Sequence, residues 1–297
     1  MKSLRSSLAW KLGKRIAIDP IRRAGFKAFY RGSLPLSYFD DPNWGDALNP
    51  VLVGMLSGLP VKYMPYQHQH RYMAIGSVLR NANGWAEVWG SGFLWDHERI
   101  NEAPMAVHAV RGPRSRAILL NQGIDCPEVF GDPALLLPRF FNPQVEKKYA
   151  VGIIPHYIDK GDQWVERQRE DPQVRIIDVK GDTFQFVEEV RSCEMILSSS
   201  LHGLICADAY GVPNIWVEFS DKLFGRGFKF FDYFESIERE TQKPVRTNES
   251  VTLGMATRHC SSNKVNINLD PLIAACPFIA TDVRQKLLAA PTLDKSP

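Results

Sequence analysis

Short apolar runs alternate with amphipathic segments along most of this 297-residue chain, and the alternation occurs twice. Runs such as "LSYFD", "YMAIGS" and "AEVWGSGF" predict strands, whereas "DALNPVLVGMLSG" and "PRSRAILLNQG" predict helices. Strands that alternate with helices form a parallel sheet with helices on both of its faces. The pattern therefore restricts the chain to an α/β fold.

The stretch "PRFFNPQVEKK" separates the two series, and its two prolines and charges predict a linker. We expect two Rossmann-like domains whose parallel sheets face a cleft. The run "EVFGDPALLL" predicts a last strand and turn for the first domain, and one long helix is predicted near "PLIAACPFIATDVRQKLLAA". The predicted divisions are a basic segment (1–31), an N-terminal domain (32–140), a C-terminal domain (148–240) and a C-terminal extension (241–297).

The composition argues against several classes of protein. No apolar run reaches about 18 residues, so no transmembrane helix is predicted. The five cysteines are widely spaced without a C-x-x-C motif, so we expect reduced thiols packed as small apolar side chains. His68 and His70 form an H-x-H pair without further ligands at metal spacing, which predicts a polar loop and no metal site.

Residues 1–31 carry nine lysines and arginines and a single acid, Asp19, although the whole chain has a net charge of only +3. Leucine or isoleucine recurs there at every fourth position from Leu4 to Ile16. The pattern predicts a basic amphipathic helix, and it lacks the apolar stretch of a signal peptide. The helix would suit an anionic membrane surface, or else pack on its own domain. We expect a cytoplasmic protein, which the first alternative makes peripheral to the membrane. No nucleic-acid partner is expected, because the rest of the chain is acidic.

Unusual polar residues and glycines come directly after the predicted strands. Because ligands bind outside the carboxyl ends of parallel strands, we expect these residues to meet at the cleft. Each of them has a plainer alternative, such as capping a helix or shaping a turn. The residues are Asn43, Gly45, Asp46, Ser77, Ser91, Gly92, Arg111, Asp132, His156, Ser198, Ser199, Ser200, His202 and Glu218.

Four of these positions predict the class of ligand and its chemistry. The glycine stretches at Gly45 and Gly92 expose backbone N–H groups near helix starts, which favours anions. Arg111 is placed to bind a phosphate or carboxylate, or else to form a structural ion pair. His202 begins a helix, where a neutral imidazole that takes or relays a proton is favoured over an imidazolium. Its alternative is a buried histidine bonded to a backbone carbonyl.

Several common motifs are missing from the sequence. It contains no G-x-x-x-x-G-K-[ST], no G-x-G-x-x-G and no G-x-S-x-G. These absences argue against a mononucleotide kinase, a dehydrogenase and a serine hydrolase.

Taken together, the motifs resemble those of the polysaccharide pyruvyl transferase family. The later "FKFFDYFESI" (228–237) resembles the bacterial exopolysaccharide members, of the succinoglycan type. The resemblance spans roughly residues 35–237. It rests on "NWGD" (43–46), "GSG" (90–92), "VRGPRS" (110–115), "GDP" (131–133) and "SSSLHGLICADAYGVP" (198–213).

The resemblance implies a fold like that of the B-type glycosyltransferases. It also implies transfer of a pyruvyl group from phosphoenolpyruvate to a sugar, which forms a ketal across two hydroxyls and releases phosphate. The donor is then a co-substrate, and no further cofactor is expected. The acceptor is implied to be an exopolysaccharide or its lipid-linked repeat unit at the membrane.

The resemblance also implies roles for single residues. His202 corresponds to the family's "LHG" histidine and would transfer protons. Arg111 would clamp the donor, and Asp46 would contact donor or acceptor hydroxyls. Many members have an arginine where this chain has Ser200, so another cation would bind the donor here. The candidates are Lys222, Arg226 and Lys229.

Two other functions remain open from the sequence. One is a B-type glycosyltransferase that uses a nucleotide sugar, in which Glu218 would serve the ribose. The other is a non-catalytic protein that binds sugars or anions on the same scaffold. Fold alone does not choose among them.

Overall fold

The computed structural model of the protein describes residues 32–65, 68–222, 225–240, 243–248, 250–258, 260 and 265–289. The basic helix predicted in residues 1–31 lies outside the described residues.

The first half of the chain builds a five-stranded sheet whose strands are all parallel, in the order β2-β1-β3-β4-β5. Its elements are β1 (Leu34–Leu36), α1 (Trp44–Ser57), β2 (Val61–Tyr63), β3 (Arg71–Met73), a 3-10 turn (Leu79–Asn81), β4 (Ala86–Trp89), β5 (Ala106–Ala109), α2 (Pro113–Asn121) and a second 3-10 helix (Pro133–Arg139).

The second half builds another five-stranded parallel sheet, in the order β10-β9-β8-β6-β7. Its elements are β6 (Tyr149–Ile154), α3 (Gln163–Arg167), a 3-10 turn (Gln168–Glu170), β7 (Val174–Ile176), α4 (Thr183–Arg191), β8 (Cys193–Ser198), α5 (Leu201–Ala209), β9 (Asn214–Glu218), α6 (Phe228–Ser236), β10 (Val245–Arg246), α7 (Leu253–Thr257), α8 (Asp270–Ala275) and α9 (Thr281–Ala289).

The two sheets have the same topology. Counted from its own first strand, each sheet has the order 2-1-3-4-5, so the direction of winding reverses between β1 and β3 and between β6 and β8. In such sheets the chain diverges at the reversal and leaves a crevice at the carboxyl ends of those strands. This arrangement confirms the predicted fold of two Rossmann-like α/β regions.

Trp44 holds the two regions together at the start of α1. Its backbone N–H donates to the carbonyl of Val179 at 2.7 Å, and its indole N–H donates to the carbonyl of Thr183 at 3.0 Å. The indole also stacks on Phe186, with 5.3 Å between ring centroids. The "NWGD" turn is thus fixed against the second sheet.

The chain returns to the first region at its end. The indole N–H of Trp89 donates to Leu272 of α8, and the N–H of Ala280 donates to Leu56 of α1. The prediction of one long closing helix is wrong, because the chain forms α8 and α9 with a break at Cys276. That residue has an extended ψ of 119° and precedes Pro277, which disfavours helical geometry at the residue before it.

Two predicted strands also differ from the structure. The strand predicted as "LSYFD" ends at Leu36, and Phe39 is 54% exposed in the loop that follows. In the "EVFGDPALLL" run, Phe130 forms a single bridge to Val110, and a 3-10 helix then begins at Pro133. The predicted domain boundaries stay predictions.

The structure places the cysteines and His70 within the described part of the chain. The five cysteines are free, and four of them are buried. His70 is buried and pairs with Glu87 at 3.0 Å. None of the described helices combines the length and apolarity that a membrane span requires. Within the described ranges, no three His, Cys, Asp or Glu side chains are grouped as metal ligands.

Candidate active site

A pocket of about 470 Å³ lies between the two regions, where the loops after β1, β3, β6 and β8 meet. Its size is typical of sites for small-molecule ligands. The structure thus brings together several of the residues predicted from the ends of the strands. The predicted residues that line the pocket are Asn43, Asp46, Ser77, His156, Ser200, His202 and Lys229.

His202 is held by the "NWGD" turn of the opposite region. Its Nδ1 lies 3.0 Å from the side-chain oxygen of Asn43, and because an amide oxygen only accepts, Nδ1 carries the proton. Nε2 of the neutral ring is then left with its lone pair. A side chain at Gly45 would lie 2.5 Å from the ring atoms Cγ and Cε1, so glycine makes room for the imidazole. Asn43 precedes α1 but does not cap it, since its side chain serves His202.

The imidazole of His202 is neutral in this environment. Burial, as the largest cause, and the nearby charges of Lys229 and Arg111 together lower its pKa to about 3. The pKa of His156 is also lowered to about 3, by burial first and then by Lys229 and Lys180. Two neutral imidazoles therefore lie near the cation Lys229, and a bound anion would favour their protonation.

The serines of the "SSS" stretch divide between the loop and the pocket. Ser198 lies behind the helix start, where its hydroxyl donates to the carbonyl of Ser200 at 2.8 Å. Ser199 accepts from the backbone N–H of His156 at 2.8 Å and donates to Asp159 at 2.8 Å, so it fixes the loop after β6. Ser200 alone lines the pocket, at the start of α5.

Lys229, in the first turn of α6, supplies a cation to the pocket. Within the described ranges, its ammonium forms no hydrogen bond or ion pair, and it lies 5.4 Å from the Phe230 ring centroid. Burial lowers its pKa to about 8, with a further contribution from Arg111 and an opposing one from Asp46. The other two candidate cations, Lys222 and Arg226, are exposed and do not line the pocket.

Arg111 lies behind the pocket wall. Its side chain is 1% exposed, and its Nε donates to Asp232 of α6 at 3.0 Å. Its two terminal nitrogens donate to Ser77 at 2.7 Å and to the carbonyl of Phe93 at 2.6 Å, and the guanidinium lies directly over Gly92. This is the structural ion pair offered as the alternative from the sequence. A direct donor contact by Arg111 stays a prediction, and Ser77 is the partner through which Arg111 reaches the pocket lining.

The "RGPRS" motif as a whole docks on α6. Ser115 donates to Asp232 through both its backbone N–H, at 2.8 Å, and its hydroxyl, at 2.7 Å. Gly112 approaches the backbone of Asp232 so closely that a side chain there would clash. The motif therefore positions the helix that carries Lys229.

Three other predicted residues lie away from the pocket. Ser91 is buried and donates to the carbonyl of Ala74 at 2.7 Å. Asp132 caps the 3-10 helix by accepting from Ala134 at 3.0 Å, as its plainer interpretation requires. Glu218 ends β9 and pairs with Arg246 at 3.1 Å. Their roles in substrate binding remain predictions.

The buried carboxyl group of Asp46 should make the stability of the fold depend on pH. Its pKa is raised from 3.8 to about 8, by burial first and then by the charge of Asp41, while Lys229 opposes the shift. The folded state thus keeps a proton that the unfolded state loses, so stability falls as the pH rises from about 4 to about 8. Asp46→Asn removes this titration. We expect its melting temperature to rise relative to that of the wild type over this range and then level off.

Thermal melts at several pH values check the expectation. The matched control is Asp125→Asn, at an exposed position outside the pocket, and its melting profile should run parallel to that of the wild type. Parallel profiles of the wild type and Asp46→Asn would contradict the buried, protonated carboxyl.

Part of the pocket lining was missed from the sequence. Phe39 lies in a run that was predicted to be a strand. Tyr157 follows His156, and only His156 was predicted to be a site residue. Polar residues without a motif gave no signal of their own. The missed lining residues are Phe39, Asp41, Val78, Arg80, Asn81, Leu94, Glu98, Tyr157 and Leu201, whereas Ser77 was predicted from the end of a strand and also lines the pocket.

Residues 88–221, which include His202 and the "GSG", "VRGPRS" and "GDP" motifs, match the model of the polysaccharide pyruvyl transferase family. The family resemblance is thereby confirmed. The "NWGD" turn lies outside the matched residues, although the structure places it against His202.

Two relatives extend the similarity over more of the chain. One is the uncharacterized protein L143 of Acanthamoeba polyphaga mimivirus, which is 28% identical over 277 residues, covering 88% of this chain and 91% of its own length. The other is the succinoglycan biosynthesis protein ExoV of Rhizobium meliloti, which is 27% identical over 218 residues. That alignment covers 69% of this chain and 66% of ExoV. Together with the family match, the ExoV similarity supports pyruvyl transfer to a polysaccharide as the class of activity.

Proposed function

We propose that this protein transfers the pyruvyl group of phosphoenolpyruvate to two hydroxyls of one sugar in an exopolysaccharide or its repeat unit. The observation that carries the proposal is the pairing of two groups in one pocket. His202 has a free Nε2 and a proton on Nδ1, and Lys229 has an ammonium with no partner among the described residues. Phosphoenolpyruvate requires both, since it carries anionic groups and must gain a proton.

The pocket offers several groups to an anionic donor. The first turns of α1 and α5 both border it, and the N–H groups of a first helical turn have no partners within the helix. Lys229 adds a full positive charge below its pKa of about 8. The phosphate and carboxylate of the donor would bind to these groups. They would replace the arginine that many family members have at the position of Ser200.

The proton balance of the reaction assigns a role to His202. Nε2 takes the proton of an attacking sugar hydroxyl, and the oxygen forms a bond to the central carbon of the donor. One of the two hydroxyl protons ends on the methylene carbon, which becomes a methyl group, and the other leaves with the phosphate. Once the C–O bond to phosphate breaks, the second hydroxyl closes the ketal. Asn43 keeps the ring oriented by accepting from Nδ1 throughout.

Binding and turnover of the donor test this function. We expect phosphoenolpyruvate to raise the melting temperature, and phosphate release to depend on an added saccharide. Lys229→Met keeps the apolar stem and removes the charge, so donor affinity should fall by about tenfold to a hundredfold. Lys222→Met, at an exposed position outside the pocket, is the matched control and should bind the donor as the wild type does.

The same measurements separate the other two functions. Stabilisation by a nucleotide sugar but not by phosphoenolpyruvate would favour the glycosyltransferase. Stabilisation by phosphoenolpyruvate without phosphate release, over a panel of lipid-linked oligosaccharides, would favour the non-catalytic binding protein. Equal donor affinity in the wild type and Lys229→Met would contradict the donor site proposed here.

We also propose that residues 1–31 bring the enzyme to an anionic membrane that holds a lipid-linked acceptor. The support is the charge of this segment, with nine cations and one acid. Deletion of residues 1–31 should lower co-sedimentation with vesicles that contain an anionic lipid and leave neutral vesicles unaffected. Unchanged sedimentation would remove this part of the proposal.

A further inference from the structure

Exposed aromatic side chains are concentrated at the mouth of the pocket. Within the described part of the chain, the phenylalanine and tyrosine side chains that are exposed by more than a third are Phe39 (54%), Tyr157 (37%) and Tyr63 (39%). Phe39 and Tyr157 line the pocket, whereas Tyr63 lies on the edge strand β2. Exposed aromatic surface at a pocket is typical of a place where a ligand binds.

The two residues occupy equivalent places in the two regions. Phe39 stands three residues after the end of β1, and Tyr157 stands three residues after the end of β6. Each strand is the first of its sheet and borders the reversal of strand order. The loops that carry the two rings therefore approach the pocket from opposite sides.

Lys180, in the loop after β7, contacts both of these loops at the mouth. Lys180 lies 2.9 Å from the carboxylate of Asp41, two residues beyond Phe39, and its ammonium lies 4.6 Å from the centroid of the Tyr157 ring. Asp41 also accepts from the backbone N–H of Asn43 at 3.0 Å, which links this arrangement to the turn that holds His202. The two aromatic residues are thus held next to the proton-transfer group.

The chemistry of the pocket changes from its mouth to its interior. The mouth presents aromatic rings, and the interior presents His202, Asp46 and Lys229. A pyranose ring has the matching division, because its axial C–H groups form an apolar face and its hydroxyls project around the edge. Aromatic rings pack against such C–H faces while the hydroxyls remain free to reach polar groups.

From this division we infer that Phe39 and Tyr157 form the acceptor platform, on which one pyranose ring lies with its hydroxyl pair directed at His202. The inference rests on the proposed function, and it adds the part of the acceptor that the protein recognises. Recognition of one ring by its C–H face makes a single pyranoside sufficient for measurable binding.

Saturation-transfer NMR with the full-length protein tests the platform. The probes are the methyl glycosides of glucose, galactose and mannose, and sorbitol serves as the acyclic control. We expect ring C–H protons of at least one glycoside to receive saturation in the wild type, and this signal to fall at least fivefold in Phe39→Ala and in Tyr157→Ala. Tyr63→Ala removes an equally exposed aromatic ring outside the pocket and should keep the signal.

Thermal stabilisation by phosphoenolpyruvate, measured on the same variants, separates failure of the platform from failure of the proposed function. It should persist in Phe39→Ala and Tyr157→Ala, which also shows that both variants fold.

Glycoside signals that survive both substitutions would overturn the platform, as would the absence of any glycoside signal in the wild type. A signal from uridine that depends on both rings, without one from the glycosides, would also overturn it, since the rings would then bind a nucleobase. No stabilisation of the wild type by phosphoenolpyruvate would count against the proposed function alone.

Discussion

His202→Ala should lower the rate of phosphate release from phosphoenolpyruvate by about a hundredfold or more, because a positioned proton-transfer group contributes about that much or more. Alanine keeps the start of α5 helical and removes only the imidazole. Lys229 and the helix N-termini remain, so stabilisation by phosphoenolpyruvate should persist. The expected signature is a loss of kcat with little loss of donor binding, measured by phosphate release and thermal melts.

A histidine outside the pocket provides the control. His97→Ala removes an imidazole that is 74% exposed and should leave turnover unchanged. If His202→Ala retained turnover within tenfold of the wild type, His202 would not be the proton-transfer group. His156, the other neutral imidazole of the pocket, would then be the next candidate.

The double alternation of strands and helices was sufficient to predict two parallel sheets, because a parallel pair requires a crossover that the pattern makes visible. The ends of the elements were less predictable. Tyr38 and Phe39 follow Leu36 after a single serine, yet the strand stops at Leu36, where the pairing with its neighbours ends. The break between α8 and α9 was signalled by Pro277, but the apolar residues on either side hid it.

The candidate site divides in the same way. Asn43, Asp46 and His202 were predictable because each follows a strand at an edge of a sheet where ligands bind. Lys229 was one of three candidate cations in the sequence, which gave no sign that its ammonium would lie in the pocket without a hydrogen bond or ion pair to the described residues. The position of Lys229 depends on a contact between two residues that are 117 positions apart in the sequence. In this contact Ser115 donates to Asp232 and thereby docks α6. Arg111 had two interpretations from the sequence, and only the tertiary structure shows that Asp232 pairs with it.

Gly45→Ala should abolish most of the activity although the substitution adds only one methyl group. The new Cβ would lie 2.5 Å from the His202 atoms Cγ and Cε1, so the ring must move away from Asn43. A displacement of about 1 Å at a reacting group costs on the order of a hundredfold in rate. We expect a fall in kcat of that size with the fold retained, because a side chain moves while the backbone of α1 does not.

Gly54→Ala is the matched control on the same helix. Its new Cβ would meet the carbonyl oxygen of Leu59 at 3.7 Å, an ordinary contact, and alanine is favoured over glycine in a helix by about 1 kcal/mol. This variant should keep wild-type kcat and melt at a slightly higher temperature. The two variants thus separate the effect of a methyl group on α1 from the effect of moving the imidazole.

NMR titration of His202 in Gly45→Ala gives a second measurement, since a displaced ring loses its buried position and its pKa should rise from about 3 toward the ordinary value of 6.5. Wild-type kcat in Gly45→Ala would show that the contact between Gly45 and His202 does not position the proton-transfer group.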